Sequence, residues 1–247
     1  MSAAEHRYSE DLQDKDNKVH TYTSDWDIYA IAFSSKPQYK FRLALGSFIE
    51  EEQNKVKVIQ LNQERGVFQP KFEFEHKFPP SKIMWIPDVD NNHPDLCVTS
   101  GETLNIWTVT DNSHAELTSS LANVQQKELS APLTSFDWNT QFLNIICTSS
   151  LDTTCSIWDI QTGTTIKQLI AHDKEVFDIS FSPDANVFAT VGADGSCRKF
   201  DSRDLSKSDI LYETNEPLLR VSWNKNNENY IALISMEQNY VTLVDIR

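Results

Sequence analysis

Apolar residues in this chain fall in short runs, and five of those runs end on an aromatic residue: Tyr29-Ala-Ile-Ala-Phe33, Ser81-Lys-Ile-Met-Trp85, Thr134-Ser-Phe-Asp-Trp138, Phe177-Asp-Ile-Ser-Phe181 and Leu219-Arg-Val-Ser-Trp223. Side chains alternate across a strand, so Phe177, Ile179 and Phe181 share one face, as do Leu219, Val221 and Trp223. The terminal aromatics are spaced by 52, 53, 43 and 42 residues. A second run follows each one: Lys55–Ile59, Leu104–Trp107, Cys155–Asp159, Cys197–Asp201 and Val241–Asp245. Between them lie apolar stretches such as Phe41–Leu45, Leu143–Cys147 and Val187–Val191. Long helical periods are missing, and Asn, Asp, Pro and Ser bound the runs. A three-strand cassette returning five times predicts an all-β protein. Its period fits a β-propeller of four strands per blade, in which each blade offers apolar surface that only a neighbour can cover. A β-sandwich is the alternative, and the regular return of the whole cassette argues against it.

Polar positions repeat as well. In the third cassette Thr148, Asp152 and Trp158 stand at the strand, turn and strand positions of a WD-type hydrogen-bond network. In the fourth, Thr190 and Asp194 repeat that spacing, and His172 lies nine residues before Phe181. His76 has the same offset from Trp85, with Trp107 following in the second cassette. Phe200 stands in the Trp position of the fourth cassette, so that network lacks an indole donor, and the first and fifth cassettes keep almost none of it. A Ser/Thr–His–Asp set also fits a hydrolase triad, but its return at blade spacing favours a structural role.

Composition narrows the function classes. Among 247 residues, six Trp, seven Tyr and thirteen Phe oppose wholesale disorder. A formal net charge of −14 opposes binding to phosphate backbones or anionic lipid. No apolar run approaches the roughly 20 residues that span a bilayer, and no secretory h-region opens the chain; taken with the cysteine usage, the expected location is the cytoplasm and nucleus. Cys97, Cys147, Cys155 and Cys197 form no CxxC pair and sit in apolar runs, where free thiols behave as small hydrophobes. The expectation is no metal, no cofactor and no enzyme activity.

The strings FRLALGSFIEE (41–51), KIMWIPD (82–88), APLTSFDWN (131–139), TSSLDTTCSIWDI (148–160), QLIAHDKEVFDI (168–179), VGADGS (191–196) and PLLRVSWNK (217–225) closely resemble one WD-repeat family. It comprises the plant Transparent Testa Glabra and anthocyanin-regulator proteins and their animal counterpart, a cullin-ligase-associated WD-repeat factor. The resemblance runs from about Lys18 to Arg247. It implies a seven-bladed, non-catalytic scaffold whose plant members hold bHLH and MYB transcription factors together. Animal members bind DYRK-type kinases, and some are described as substrate receptors of the cullin-four ubiquitin ligase.

Partner contacts on propellers concentrate in loops entering the first strand of each blade and in turns between the second and third. Candidates there are Trp26, Asp27, Tyr29, Ser81, Lys82, Asp173, Lys174, Glu175, Phe177 and Arg220. The endings Phe200-Asp-Ser-Arg203 and Val244-Asp-Ile-Arg247 partly match a WD-x-Arg signature, which makes Arg203 and Arg247 candidate cullin-adaptor contacts; local pairing with the preceding Asp is the plainer reading. Residues 1–17 read as an acidic, disordered tail, and 18–247 as the propeller, with repeats near 18–61, 72–110, 129–160, 168–203 and 215–247. At about 46 residues per cassette, two further blades need roughly 90 more residues. Two expectations compete: a C-terminally truncated, incomplete ring, or five blades closing alone with Val19–Thr23 as the outer strand of the last. Blade rotation suited to seven favours the first.

Overall fold

A computed structural model describes residues 19–50, 53–122 and 131–247; the acidic tail and part of the Glu50–Glu52 tract lie outside the described residues. Among the described residues nineteen antiparallel strands form five sheets. The first holds β1 (Asp27–Phe33), β2 (Arg42–Phe48), β3 (Asn54–Asn62) and β4 (Val67–His76) in that order. The second holds β5 (Lys82–Trp85), β6 (Leu96–Ser100), β7 (Leu104–Thr110) and β8 (His114–Leu121). The third holds β9 (Leu133–Trp138), β10 (Ile145–Ser150), β11 (Thr154–Asp159) and β12 (Thr164–Ile170). In the fourth are β13 (Val176–Phe181), β14 (Val187–Gly192), β15 (Ser196–Asp201) and β16 (Asp204–Glu213). The fifth has β17 (Leu218–Trp223), β18 (Tyr230–Ser235) and β19 (Thr242–Asp245). Every sheet is a meander in chain order, the blade arrangement of a WD-repeat β-propeller.

The cores lie between blades. Val56, Val58 and Phe74 of the first blade pack with Trp85, Trp107 and Val109 of the second. Val98, Leu104 and Ile106 of the second meet Phe136, Trp138, Ile146 and Trp158 of the third. Cys147, Cys155 and Ile157 then face Ile179, Phe181, Phe188 and Phe200 of the fourth, and Ala189, Val191 and Cys197 face Leu218, Val221 and Trp223 of the fifth. Neighbouring residues on one strand thus serve different interfaces: Ile146 packs toward the second blade and Cys147 toward the fourth. Two-sided burial explains why second strands such as β2 and β14 read as nearly continuous apolar sequence.

All four cysteines are buried and free, and burial pushes the Cys197 thiol up to about 12. The segment ahead of β1 departs from the closing-strand expectation. Tyr22 and Trp26 pack on Leu43, Leu45 and Ile59 of the first blade, and His20 Nδ1–H donates to the Gly66 carbonyl at 2.7 Å. The physical reason is that Tyr22 and Trp26, on one side of this alternating segment, find their apolar contacts on the first blade, so β19 gains no partner from it.

Candidate functional site

The two repeated histidines sit in different networks. In the second blade the Trp107 indole N–H donates to Thr99 Oγ1 at 3.0 Å, which lies 3.0 Å from His76 Nε2. His76 Nδ1 lies 2.5 Å from the Phe78 carbonyl. One direction satisfies all three contacts: indole to hydroxyl, hydroxyl to Nε2, and Nδ1–H to carbonyl. In the fourth blade Thr190 Oγ1 stands 2.7 Å from His172 Nε2, and His172 Nδ1–H donates to Asp194 Oδ1 at 2.9 Å. Ser196 adds two bonds to the same carboxylate, from its N–H at 3.0 Å and its hydroxyl at 2.8 Å. Gly192 makes the seat: a Cβ there would stand 2.6 Å from the Glu175 carbonyl oxygen and 3.2 Å from the imidazole.

Burial lowers the pKa of both histidines. Burial alone would raise Asp194, but the Ser196 and His172 donors outweigh it and hold the carboxyl at about 2. A neutral imidazole with both nitrogens engaged is a strut rather than a poised base. In the third blade Trp158 Nε1–H donates to Thr148 Oγ1 at 2.9 Å, whereas Asp152 takes its bonds from Thr154 and shapes the turn.

The inner strands carry polar contacts that the sequence reading missed. Asp137 Oδ2 accepts from the Phe181 N–H at 2.7 Å, and Ser180 Oγ, one blade on, accepts from the Trp223 N–H at 3.1 Å. Asp178 Oδ2 accepts from the Val221 N–H at 3.1 Å. Ser81 Oγ donates to the Leu133 carbonyl at 2.9 Å, and Thr134 Oγ1 donates to that of Val176 at 2.7 Å. In the inner runs Ser and Asp alternate with the apolar residues, a pattern that a strand with one solvent-facing side shows equally. Two ion pairs skip a blade altogether. Lys82 reaches Asp178 at 3.8 Å, and Lys225 reaches Asp137 at 3.1 Å.

The remaining candidates scatter. Trp26 lies on the first blade's flank with Lys57 Nζ 5.8 Å from its ring centroid, and the Tyr29 ring is 5.3 Å from that of Phe48. Asp27, Lys174, Glu175 and Arg220 are exposed, and Phe177 is half-buried. Asp173 is exposed and pairs with Arg198 at 2.7 Å. Arg203 and Arg247 each fork onto the carboxylate two residues earlier, Asp201 and Asp245, with both guanidinium groups largely exposed. Among the described residues no three His, Cys, Asp or Glu side chains converge to hold a metal ion. No described helix is long and apolar enough to cross a membrane.

The WD domain, G-beta repeat family matches residues 163–201, which span the blade boundary holding the His172 network. Over 233 residues the chain is 51% identical to the DDB1- and CUL4-associated factor 7 homolog of Dictyostelium discoideum, covering 93% of this chain and 71% of the relative. The chain belongs to the DDB1- and CUL4-associated factor 7 family. Two further WD repeat-containing proteins are similar to it. One, from Schizosaccharomyces pombe, is 34% identical over 259 residues, covering 92% of this chain and 59% of the relative. The other, from Saccharomyces cerevisiae, is 30% identical over 264 residues, covering 92% of this chain and 49% of the relative. The chain therefore spans about half to seven-tenths of the length of these relatives. In this member of the DDB1- and CUL4-associated factor 7 family, the repeated Thr, His and Trp positions brace blades.

Proposed function

We propose that the protein is a non-catalytic interaction scaffold that brings kinases or transcription regulators together. The observation carrying this reading is the fate of the constellation that resembled a hydrolase triad: His172, Thr190 and Asp194 are locked to one another where the fourth blade begins, with the imidazole fully buried. Family membership supports the same reading. DYRK-type kinases and bHLH or MYB regulators are the partner classes proposed from the family resemblance. Affinity purification of the tagged chain with mass-spectrometric identification tests it, with stable recovery of such a protein expected. Absence of any partner, together with a hydrolase activity abolished by His172→Ala, would overturn it.

A second reading, as a substrate receptor of the cullin-four ligase, is favoured by family membership, with the exposed Arg203 and Arg247 at matching places in the fourth and fifth blades as its proposed contacts. Arg203→Ala combined with Arg247→Ala is expected to reduce capture of the cullin adaptor. Unchanged capture would remove that placement.

A further inference from the structure

An apolar opening lies at the opposite end of the blades from the loops entering each first strand. It is a groove of about 800 Å³ between the second and third blades, bounded by the β5–β6 turn, the β9–β10 turn and the start of the β11–β12 turn. Ile86, Leu96, Ile106 and Ile160 contribute to its lining. Two large apolar side chains stand on its rims where turns ordinarily present polar ones: Val89, 63% exposed, and Phe142, 51% exposed. Phe142 also borders a second groove of about 310 Å³ between the third and fourth blades, so it forms a ridge between the two.

Both rims are pinned. Lys36, itself buried, ties down the β5–β6 turn through Asp88 at 3.1 Å, Asn91 at 2.9 Å and the His93 carbonyl. Asn139 accepts from the N–H groups of Gln141 and Phe142, both at 2.9 Å, while its amide donates to the Ala185 carbonyl at 2.7 Å. Apolar side chains held out on rigid turns lose little entropy on binding.

Charge indicates the occupant. The groove lining includes two carboxylates, Asp88 and Asp90, and neither lysine nor arginine. Lys36 and the N–H groups of Asn92 and His93 occupy Asp88, while Asp90 faces solvent at the rim. We propose that this groove docks an extended segment of a partner protein, seating one apolar side chain between Val89 and Phe142 and setting a lysine or arginine against Asp90. The proposal rests on the scaffold reading and names the peptide chemistry through which it acts.

The test is selection of a random dodecapeptide phage library on the immobilised full chain, followed by fluorescence anisotropy of synthetic peptides from the selected clones. The expected clones share an aliphatic or aromatic residue within four positions of Lys or Arg. Their affinity should fall at least tenfold in Val89→Asp and in Phe142→Asp. Asp90→Lys should weaken them and favour peptides whose Lys or Arg is replaced by Glu. Should either Asp variant shift the melting midpoint, Val89→Ser or Phe142→Ser takes its place with the same expected loss. No consensus, an acidic consensus, or a basic-apolar consensus that binds all the groove variants as well as the wild type overturns the proposal. Failure of the groove while affinity purification still recovers regulators leaves scaffolding intact, so the two readings fail separately.

Discussion

His172 shows how one side chain can look catalytic and act as a brace. Removing it strands the Thr190 hydroxyl and part of the Asp194 carboxylate in a buried site, so His172→Ala should destabilise the fold by about 1–3 kcal/mol in urea denaturation. Asp173→Ala next to it should stay within about 0.5 kcal/mol, because that carboxylate is exposed and its pairing with Arg198 is screened. The reverse order would mean that the network is not what holds this corner. The same burial gives a pH signature. His76 and His172 have pKa values lowered below the ordinary 6.5, so the unfolded chain takes up protons that the folded chain refuses. Stability should therefore fall as pH drops below 6.5. Asp194, held at about 2 against an ordinary 3.8, extends the loss into the acid range. The urea midpoint followed from pH 7.5 to 5.5 should decline, and less steeply in His76→Gln combined with His172→Gln. The Trp–Thr–His spacing was legible in the sequence because it returns at matching positions in more than one cassette. The inter-blade roles of Asp137, Asp178 and Ser180 were not, since Asp and Ser within a strand read equally well as solvent-facing.

At the scale of the strand, legibility followed burial. The inner runs of the third and fourth blades, β9 and β13, are largely buried and showed as runs ending in an aromatic, whereas β1 shows the same pattern with most of its residues exposed. The outer strands β4, β8, β12 and β16 left little trace, because much of each is exposed, as in His-Ala-Glu-Leu-Thr-Ser-Ser-Leu of β8. The start of β2 carries the least expected feature of any strand. Arg42 is fully buried, its guanidinium 4.0 Å from the Tyr39 ring centroid and 3.9 Å from that of Trp85, and it forks onto Asp95 at 2.6 and 2.7 Å. This cation joins the first blade to the second. Arg42→Met should cost about 3–5 kcal/mol by leaving Asp95 uncompensated, whereas adding Asp95→Leu should recover part of the loss. A double-mutant cycle in urea measures the difference, and simple additivity would show that the pair is not coupled. Nothing in the string FRLALG distinguishes this arginine from an exposed one, since its carboxylate partner lies 53 residues away.

For the whole molecule, the all-β class and the blade count were legible because repetition averages out local ambiguity: five cassettes agree where one would not decide. The placement of the segment ahead of β1 was not, because its alternation suits either a strand edge or a blade face. Nor was the apolar groove, whose rims come from turns that sequence reading treats as punctuation. Repeat proteins are ordinarily linear in their energetics, each unit sensing only those beside it. Lys225 breaks that rule. It donates to Asp137 in the third blade and to the Phe181 carbonyl in the fourth, from a position just past the inner strand of the fifth. A perturbation in the last blade should therefore be felt two units away. In native-state hydrogen exchange, Lys225→Met should speed exchange of the Phe181 amide, which Asp137 holds, by about fivefold, equal to about 1 kcal/mol, while amides of the first blade keep their rates. The inner strands would then open as one cooperative unit spanning three blades, rather than fray one after another from an end.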